Sequence, residues 1–323
     1  MALTLSDIKP LSQDKLTQAV IDEFRKDPLL NLLPFDNCVK PQGGTTLAYV
    51  YNRVTTQPTA AGRAINNEYT AQETKTTAYT VALKIFGGSF QIDRVLAVDE
   101  NGQVVDNITF QMEQKIKATR ALFSDWFING DSSQDATAFD GLDKAIKGSS
   151  TDVTVDAGVD LSTAAKVKAN WAGLTDALRR FEAKLAERPT AYFVSREMYG
   201  VFQSVADFAN GFTSTKDEFG NEVLKYGNAQ IIEMGDKPGT SNPIIPTDAN
   251  GKTAIYAAYF GMDGVHGVSP TGSGVVNTFM PDMSAPGAVK TGEVEMVAAV
   301  AVKATRAAGV LRGIKIANPS ASS

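Results

Sequence analysis

Four places in the chain carry side chains whose types and spacing could do chemistry. Asp131-x-Ser133-x-Asp135, with Asp140 and Asp143 close behind, has the alternating oxygen donors of a calcium loop. Its sixth position is Ala136 where such a loop needs glycine, and its twelfth is Leu142 where a bidentate glutamate belongs. An ordinary acidic turn is the expectation. Glu293 and Glu295 sit two apart, so a strand would present both carboxylates on one face, as an acid–base pair requires. Surface ion pairing is their plainer use. Gly264–Gly274 (GVHGVSPTGSG) is glycine-rich like a phosphate cradle. It lacks both the Lys-Ser/Thr ending of a P-loop and the strand–turn–helix spacing of a dinucleotide fingerprint. It reads as a flexible loop, with His266 an exposed and idle side chain inside it. Cys38 lies beside Asn37 in a proline-bounded strap, where no Cys/His pair can be argued.

Composition narrows the chemistry further. One histidine and one cysteine in 323 residues exclude a two-histidine metal site, an intrachain disulfide and any multi-cysteine cluster. Thirty-six acidic against 31 basic residues give a net charge of −5, a poor balance for gripping phosphate backbones. The first residues, MALTLSD, carry neither a basic n-region nor an apolar h-region. The longest apolar run, Val297 to Val302, falls far short of the roughly 20 residues that span a bilayer. No catalytic residue, cofactor or metal ligand is assigned, and no membrane partner is expected.

The elements that would position such residues fall into five zones. Leu16, Val20 and Phe24 recur every four residues as a short helix after Ser12-Gln13-Asp14, and Pro28 is expected to end it. The run Leu29–Phe35 then reads equally as a strap across the body or as an arm on a neighbouring subunit. Thr45–Tyr51 alternates like a strand, and the small and polar residues up to Thr74 suggest a projecting two-stranded loop. Tyr79, Val81, Leu83 and Ile85 predict one strand face. Gly87-Gly88 predicts a bulge or bend before Phe90 and Ile92 resume the pattern.

The longest helical pattern follows, stepping through Val105, Ile108, Met112, Ile116, Thr119, Phe123 and Phe127, with Asn129-Gly130 as a left-handed stop. Thr163 to Glu187 predicts an amphipathic helix, Ala191–Val194 a buried strand, and Ser195 the cap of a helix running to about Asn210. Strands are predicted at Ala229–Glu233 and Ala254–Phe260. Thr291 to Ala317 reads as strand–turn–strand with a break at Gly309. Zones three and five bracket an inserted α/β unit, so the body is expected to be discontinuous in sequence.

This order of zones resembles the major capsid proteins of tailed bacteriophages, whose fold is shared with encapsulin shells. Ala61–Glu68 followed by Thr77–Lys84 is similar to the family's loop return, and Phe90-Gln91-Ile92-Asp93-Arg94 to its passage toward a spine helix. Phe127-Ile128-Asn129-Gly130-Asp131, then Phe139-Asp140-Gly141-Leu142, resembles the spine exit. Tyr192–Ser195, Tyr226-Gly227 before Ile231-Ile232, Tyr259-Phe260-Gly261 and the Val302-to-Ile316 hairpin complete the series. The likeness covers about residues 43 to 317.

The resemblance implies an α+β fold with an N-terminal arm (1–42), a projecting β loop (43–74), a peripheral domain (75–160 and 281–317) and a C-terminal tail (318–323). A spine helix at about 104–129 would lie in the peripheral domain, and an axial α/β domain (161–280) would be inserted in it. It further implies a non-enzymatic structural subunit. Copies would assemble as hexamers and pentamers into an icosahedral virion shell around double-stranded DNA, touched weakly and without sequence specificity. Assembly would take place in the host cytoplasm. Because the arm starts almost at Met1, a separate scaffolding protein is expected, together with a portal and a possible decoration protein. No lysine lies between Arg53 and Thr74, so covalent cross-linking through the loop is not expected. The alternatives are an encapsulin-like compartment shell, or a soluble α/β enzyme using Gly264–Gly274 with Glu293 or His266.

Overall fold

The computed structural model describes residues 27–39, 47–56, 59–94, 104–155, 159–216, 222–271 and 275–318. The helix expected around Leu16–Phe24 lies outside them. Asp27 caps the first described helix, α1 (Pro28–Leu32), its carboxylate accepting from the Leu29 N–H at 3.0 Å. Pro28 opens a helix, in the first turn where its missing N–H costs nothing. Leu29 and Leu33 are buried in the main core. The next strand, β1 (Phe35–Val39), joins the body's own sheet, so this stretch is a strap across its own subunit.

The chain continues through β2 (Ala48–Thr56), β3 (Lys75–Ala82) and β4 (Lys84–Asp93). The spine helix α2 (Val104–Asn129) leads to α3 (Leu142–Ile146) and β5 (Asp152–Thr154). Next come α4 (Ala164–Glu182), β6 (Ala191–Ser195) and α5 (Arg196–Ala206). Four strands follow: β7 (Phe212–Lys216), β8 (Glu222–Tyr226), β9 (Ala229–Met234) and β10 (Lys252–Ala258). The last are β11 (Val265–Pro270), β12 (Val276–Phe279), β13 (Val289–Val302) and β14 (Ala308–Lys315).

Period-two alternation builds the larger sheet, ordered β5-β14-β10-β6-β9-β8-β7. Tyr192, Val194, Ile255, Ala257 and Leu311 point to one face, into a core shared with Leu174, Leu178 and Phe181 of α4 and Met198 and Phe202 of α5. Ala191, Phe193, Tyr256, Ala258 and Val310 point to the other face, into the core of the spine. Central strands buried on both faces need continuous apolar sequence, and all five residues of β6 are buried. Thr163 and Ser195 cap α4 and α5 through hydrogen bonds from Lys166 N and Met198 N.

The second sheet has the order β1-β11-β13-β12, with β4 also paired to β13. Its inner face carries Phe86, Phe90, Val294 and Met296, all buried. Against it lies the α2 stripe of Ile108, Met112, Ile116, Phe123 and Phe127. Phe86 stacks on Phe123 at 6.2 Å, and Phe127 meets Phe193 of the larger sheet edge-on at 5.1 Å. The spine thus joins the two sheets through one core. Each such fully buried aromatic ring contributes roughly 1.5–3 kcal/mol by burial.

Several local expectations are revised. The strand expected through Tyr79–Ile85 changes sheets at buried Leu83, and Phe86 rather than Ile85 (58% exposed) faces the core. No bulge occurs at Gly87-Gly88, because β4 keeps one register against β13 from Lys84–Ala298 to Asp93–Val289. Glycine is required there by close approach: a Cβ on Gly87 would lie 2.0 Å from the Val294 carbonyl oxygen. Gly130 is likewise no left-handed cap, since its φ lies outside that region. The hairpin expected over Thr291–Ala317 is two strands in different sheets. β14 pairs with β10 and β5, not with β13, and a short 3-10 turn at Thr305–Ala307 carries the chain across.

Candidate assembly surfaces

The two strands of the projecting loop, β2 and β3, pair antiparallel from Ala48–Ala82 to Thr56–Lys75. The return strand therefore lies beyond residue 74. Its alternate residues divide the hairpin into two unlike faces. Tyr49, Tyr51 and Arg53 of β2, with Tyr79 and Val81 opposite, form the face turned to the body. The Tyr51 hydroxyl donates to the Val302 carbonyl at 2.9 Å, and the Arg53 guanidinium donates to the same oxygen and to the Tyr51 hydroxyl. Arg53 also lies over the Tyr79 ring at 4.3 Å, while Tyr51 and Tyr79 stack at 6.0 Å. The hairpin foot is thus clamped to the last residue of β13.

The outer face has no such partner. Val50 (61% exposed) and Val54 share it with Thr76, Ala78 and Thr80, and at the tip Ile65 is 89% exposed. The tip's backbone is ordered by local bonds. Gln72 Oε1 accepts from Thr59 N and Oγ1, and Arg63 donates to the Asn67 carbonyl while lying 5.4 Å over the Tyr69 ring. Asn66 takes the left-handed conformation that the turn needs, at φ +69°. Among the described residues, five of the 11 exposed large apolar side chains lie on this one hairpin: Val50, Val54, Ile65 and Tyr69, with Tyr79 on the face turned to the body. Such clustering makes the hairpin a candidate contact surface.

At the spine exit, Gly130 and Gly141 face one another, the Gly141 N–H donating to the Gly130 carbonyl at 2.8 Å. A Cβ on Gly130 would sit 2.2 Å from the Phe139 carbonyl oxygen, and one on Gly141 would sit 2.4 Å from that of Trp126. Asn129 Nδ2 donates to Asp125 Oδ1 and the Ile244 carbonyl, tying this elbow to the connection between β9 and β10.

The residues singled out for chemistry are dispersed. Asp131 and Asp135 accept from the backbone N–H and hydroxyl groups of Ser133 and Thr137, closing two Asx turns. Lys144 Nζ reaches Asp131 at 2.6 Å and Asp140 at 2.8 Å. Its hydrogen bond, with those from Ser133, lowers the Asp131 carboxyl to about 2. Glu293 and Glu295 stand on the outer face of β13 opposite Phe279 and Asn277, without an ion pair among the described residues. Residues 265–270 of the supposed flexible loop form strand β11, every residue of it buried. His266 is accordingly 0% exposed, paired with Ala301 in the sheet. His266 and Glu293 thus sit at the opposite ends of β13, about 26 Å apart along the strand. Cys38 falls on β1. Among the described residues no group of acids, histidine and cysteine could hold a metal ion, and no helix is long and apolar enough to cross a membrane.

Sequence reading missed the foot. Its signal is present in Tyr49-x-Tyr51-x-Arg53, one strand face carrying two rings and a cation.

No family model matches the chain, and no curated protein does. Solved structures do. The holo-SrpI encapsulin complex from Synechococcus elongatus aligns at TM-score 0.58 and 14% identity, over 91% of this chain and 90% of that one. The capsid of a native GTA particle aligns at 0.54 and 12%, over 88% and 89%. The capsid of Myoviridae phage XM1 aligns at 0.53 and 12%, over 88% and 91%. This chain has the α+β fold shared by phage major capsid proteins and encapsulin shells.

Proposed function

We propose that the chain is a major capsid protein whose copies close into a shell. The observation that carries this reading is a fold matched end to end, over about nine-tenths of both chains, with subunits of separate shells. The projecting hairpin supports it, because its outer face gains burial only from another molecule. Copies assemble as hexamers and pentamers into an icosahedral virion shell enclosing double-stranded DNA. The net charge of −5 suits a lining that holds DNA weakly. Residues 75–160 and 281–317, with the spine, β4 and β13, serve as the peripheral domain, and residues 161–280, with α4, α5 and β6–β10, as the axial one. Scaffolding, portal and decoration proteins are its partners, and assembly takes place in the host cytoplasm. Its function is contact rather than catalysis, and its shell is held without covalent links.

Size-exclusion chromatography and negative-stain microscopy of the purified chain, alone and with a scaffolding partner, test this. Uniform hollow particles are expected, and a stable monomer under both conditions would refute it. Stable ladders on denaturing electrophoresis would overturn the non-covalent shell. The encapsulin match favours a second reading, a compartment shell filled with protein. Nuclease-protected DNA inside the particles selects the first reading, and a protein cargo selects the second.

A further inference from the structure

We propose that His266 is a pH-sensitive latch beneath the foot of the β2–β3 hairpin, and that its protonation frees the hairpin to swing from the body. His266 is completely buried, and neither ring nitrogen makes a well-formed hydrogen bond among the described residues, although the Gly261 backbone stands near enough to favour a charged ring. A neutral imidazole leaves one donor and one acceptor unmet, whereas an imidazolium leaves two donors and a charge. The ring lies edge-on to Tyr49 of the hairpin, 5.7 Å between centroids. It is the side chain on which that part of the foot rests.

The charged surroundings favour the neutral form. Lys303, just past β13, lies 5.6 Å over the same Tyr49 ring and repels a second cation. Among the described residues Asp36 of β1 is the acid that acts on the ring, and it already accepts from the Tyr49 hydroxyl at 3.3 Å. Asp36 and the Gly261 backbone favour the charged ring, but burial first and Lys303 second outweigh them, lowering the histidine below its ordinary value. A proton captured here can be accommodated by drawing Asp36 from Tyr49 or by lifting the hairpin off the ring. Either change loosens the same contact.

The sign follows from linkage. The latched state binds fewer protons than the released one, so the latch is fully effective above the ordinary histidine value of about 6.5 and weakens as pH falls below it. The remaining clasp, from Tyr51 and Arg53 to the Val302 carbonyl, holds no histidine and no carboxyl group. Since the chain has one histidine, a transition between pH 5 and 7 has a single imidazole to report. The inference uses the shell reading only for its consequence: hairpins that move in acid would let a shell change form.

Hydrogen exchange with mass spectrometry on the full chain, from pH 7.5 to 5.0 and corrected for intrinsic rates, tests it. Peptides covering 47–56 and 75–82 should open more readily in acid, by at most about tenfold per pH unit, while β6 stays constant. His266→Phe should abolish the acid response, and Lys303→Met, at a partly exposed site, should reduce it. A pH-independent hairpin in the wild type overturns the latch, as does an undiminished response in either variant. Exchange is read whether or not particles form, so a responsive hairpin in a chain that never assembles upholds the latch while refuting the shell.

Discussion

Strands β6 and β3 are both short, β-prone and rich in small and aromatic residues, yet they end in opposite surroundings. In β6 (AYFVS) every residue is buried, while in β3 (KTTAYTVA) all but one are exposed. The difference is not propensity, since Tyr, Thr and Val suit either place. It lies in neighbours: β6 has strands on both sides and cores above and below, whereas β3 has one strand and one clamped end. A lone two-stranded ribbon is marginal in water. One region is completed by its own chain, and the other keeps an open face among the described residues.

Substitutions can break that contrast. Phe123→Ala, at a wholly buried ring of the spine stacked on Phe86, should cost about 3–5 kcal/mol in denaturant unfolding. Gly130→Ala forces a methyl group against the Phe139 carbonyl and should cost about 1–3 kcal/mol, with the elbow as the first segment to lose exchange protection. Ile65→Asp at the hairpin tip should leave unfolding within about 0.5 kcal/mol of wild type and yet block particle formation. Normal particles from Ile65→Asp would mean that the tip is not a contact. The smallest effect concerns acid. Asp131, held near 2 against an ordinary 3.8, adds stability above pH 3.8 that is lost as pH falls through 2. Asp131→Asn should flatten the melting temperature across that window.

What the sequence makes legible follows the same division. Periodicity marks the spine stripe from Ile108 to Phe127, and the caps Thr163 and Ser195 identify their helices, because each is a local rule with a local signature. The errors arise where a long-range contact sets the outcome. Gly87 and Gly130 are glycines for want of space against a distant carbonyl, not for backbone conformation, and nothing adjacent in sequence distinguishes the two causes. His266 sits among glycines that suggest a loop, but β1 and β13 pair on either side of it and make a strand. The candidate surface was visible as a polar, unburiable stretch. Its foot was not, because Tyr51 and Arg53 gain meaning only from Val302, some 250 positions away.

The pairing of the final strands bears on the timing of synthesis. β13 forms ladders with β4, β11 and β12, and β14 lies between β5 and β10. A chain leaving the ribosome from its N-terminal end therefore lacks an inner strand of the second sheet until about residue 302 has emerged, and one of the larger sheet until about residue 315. Until then β10 has no partner on one side and the hairpin has no Val302 to hold. On a growing chain the hairpin is thus made early and anchored late.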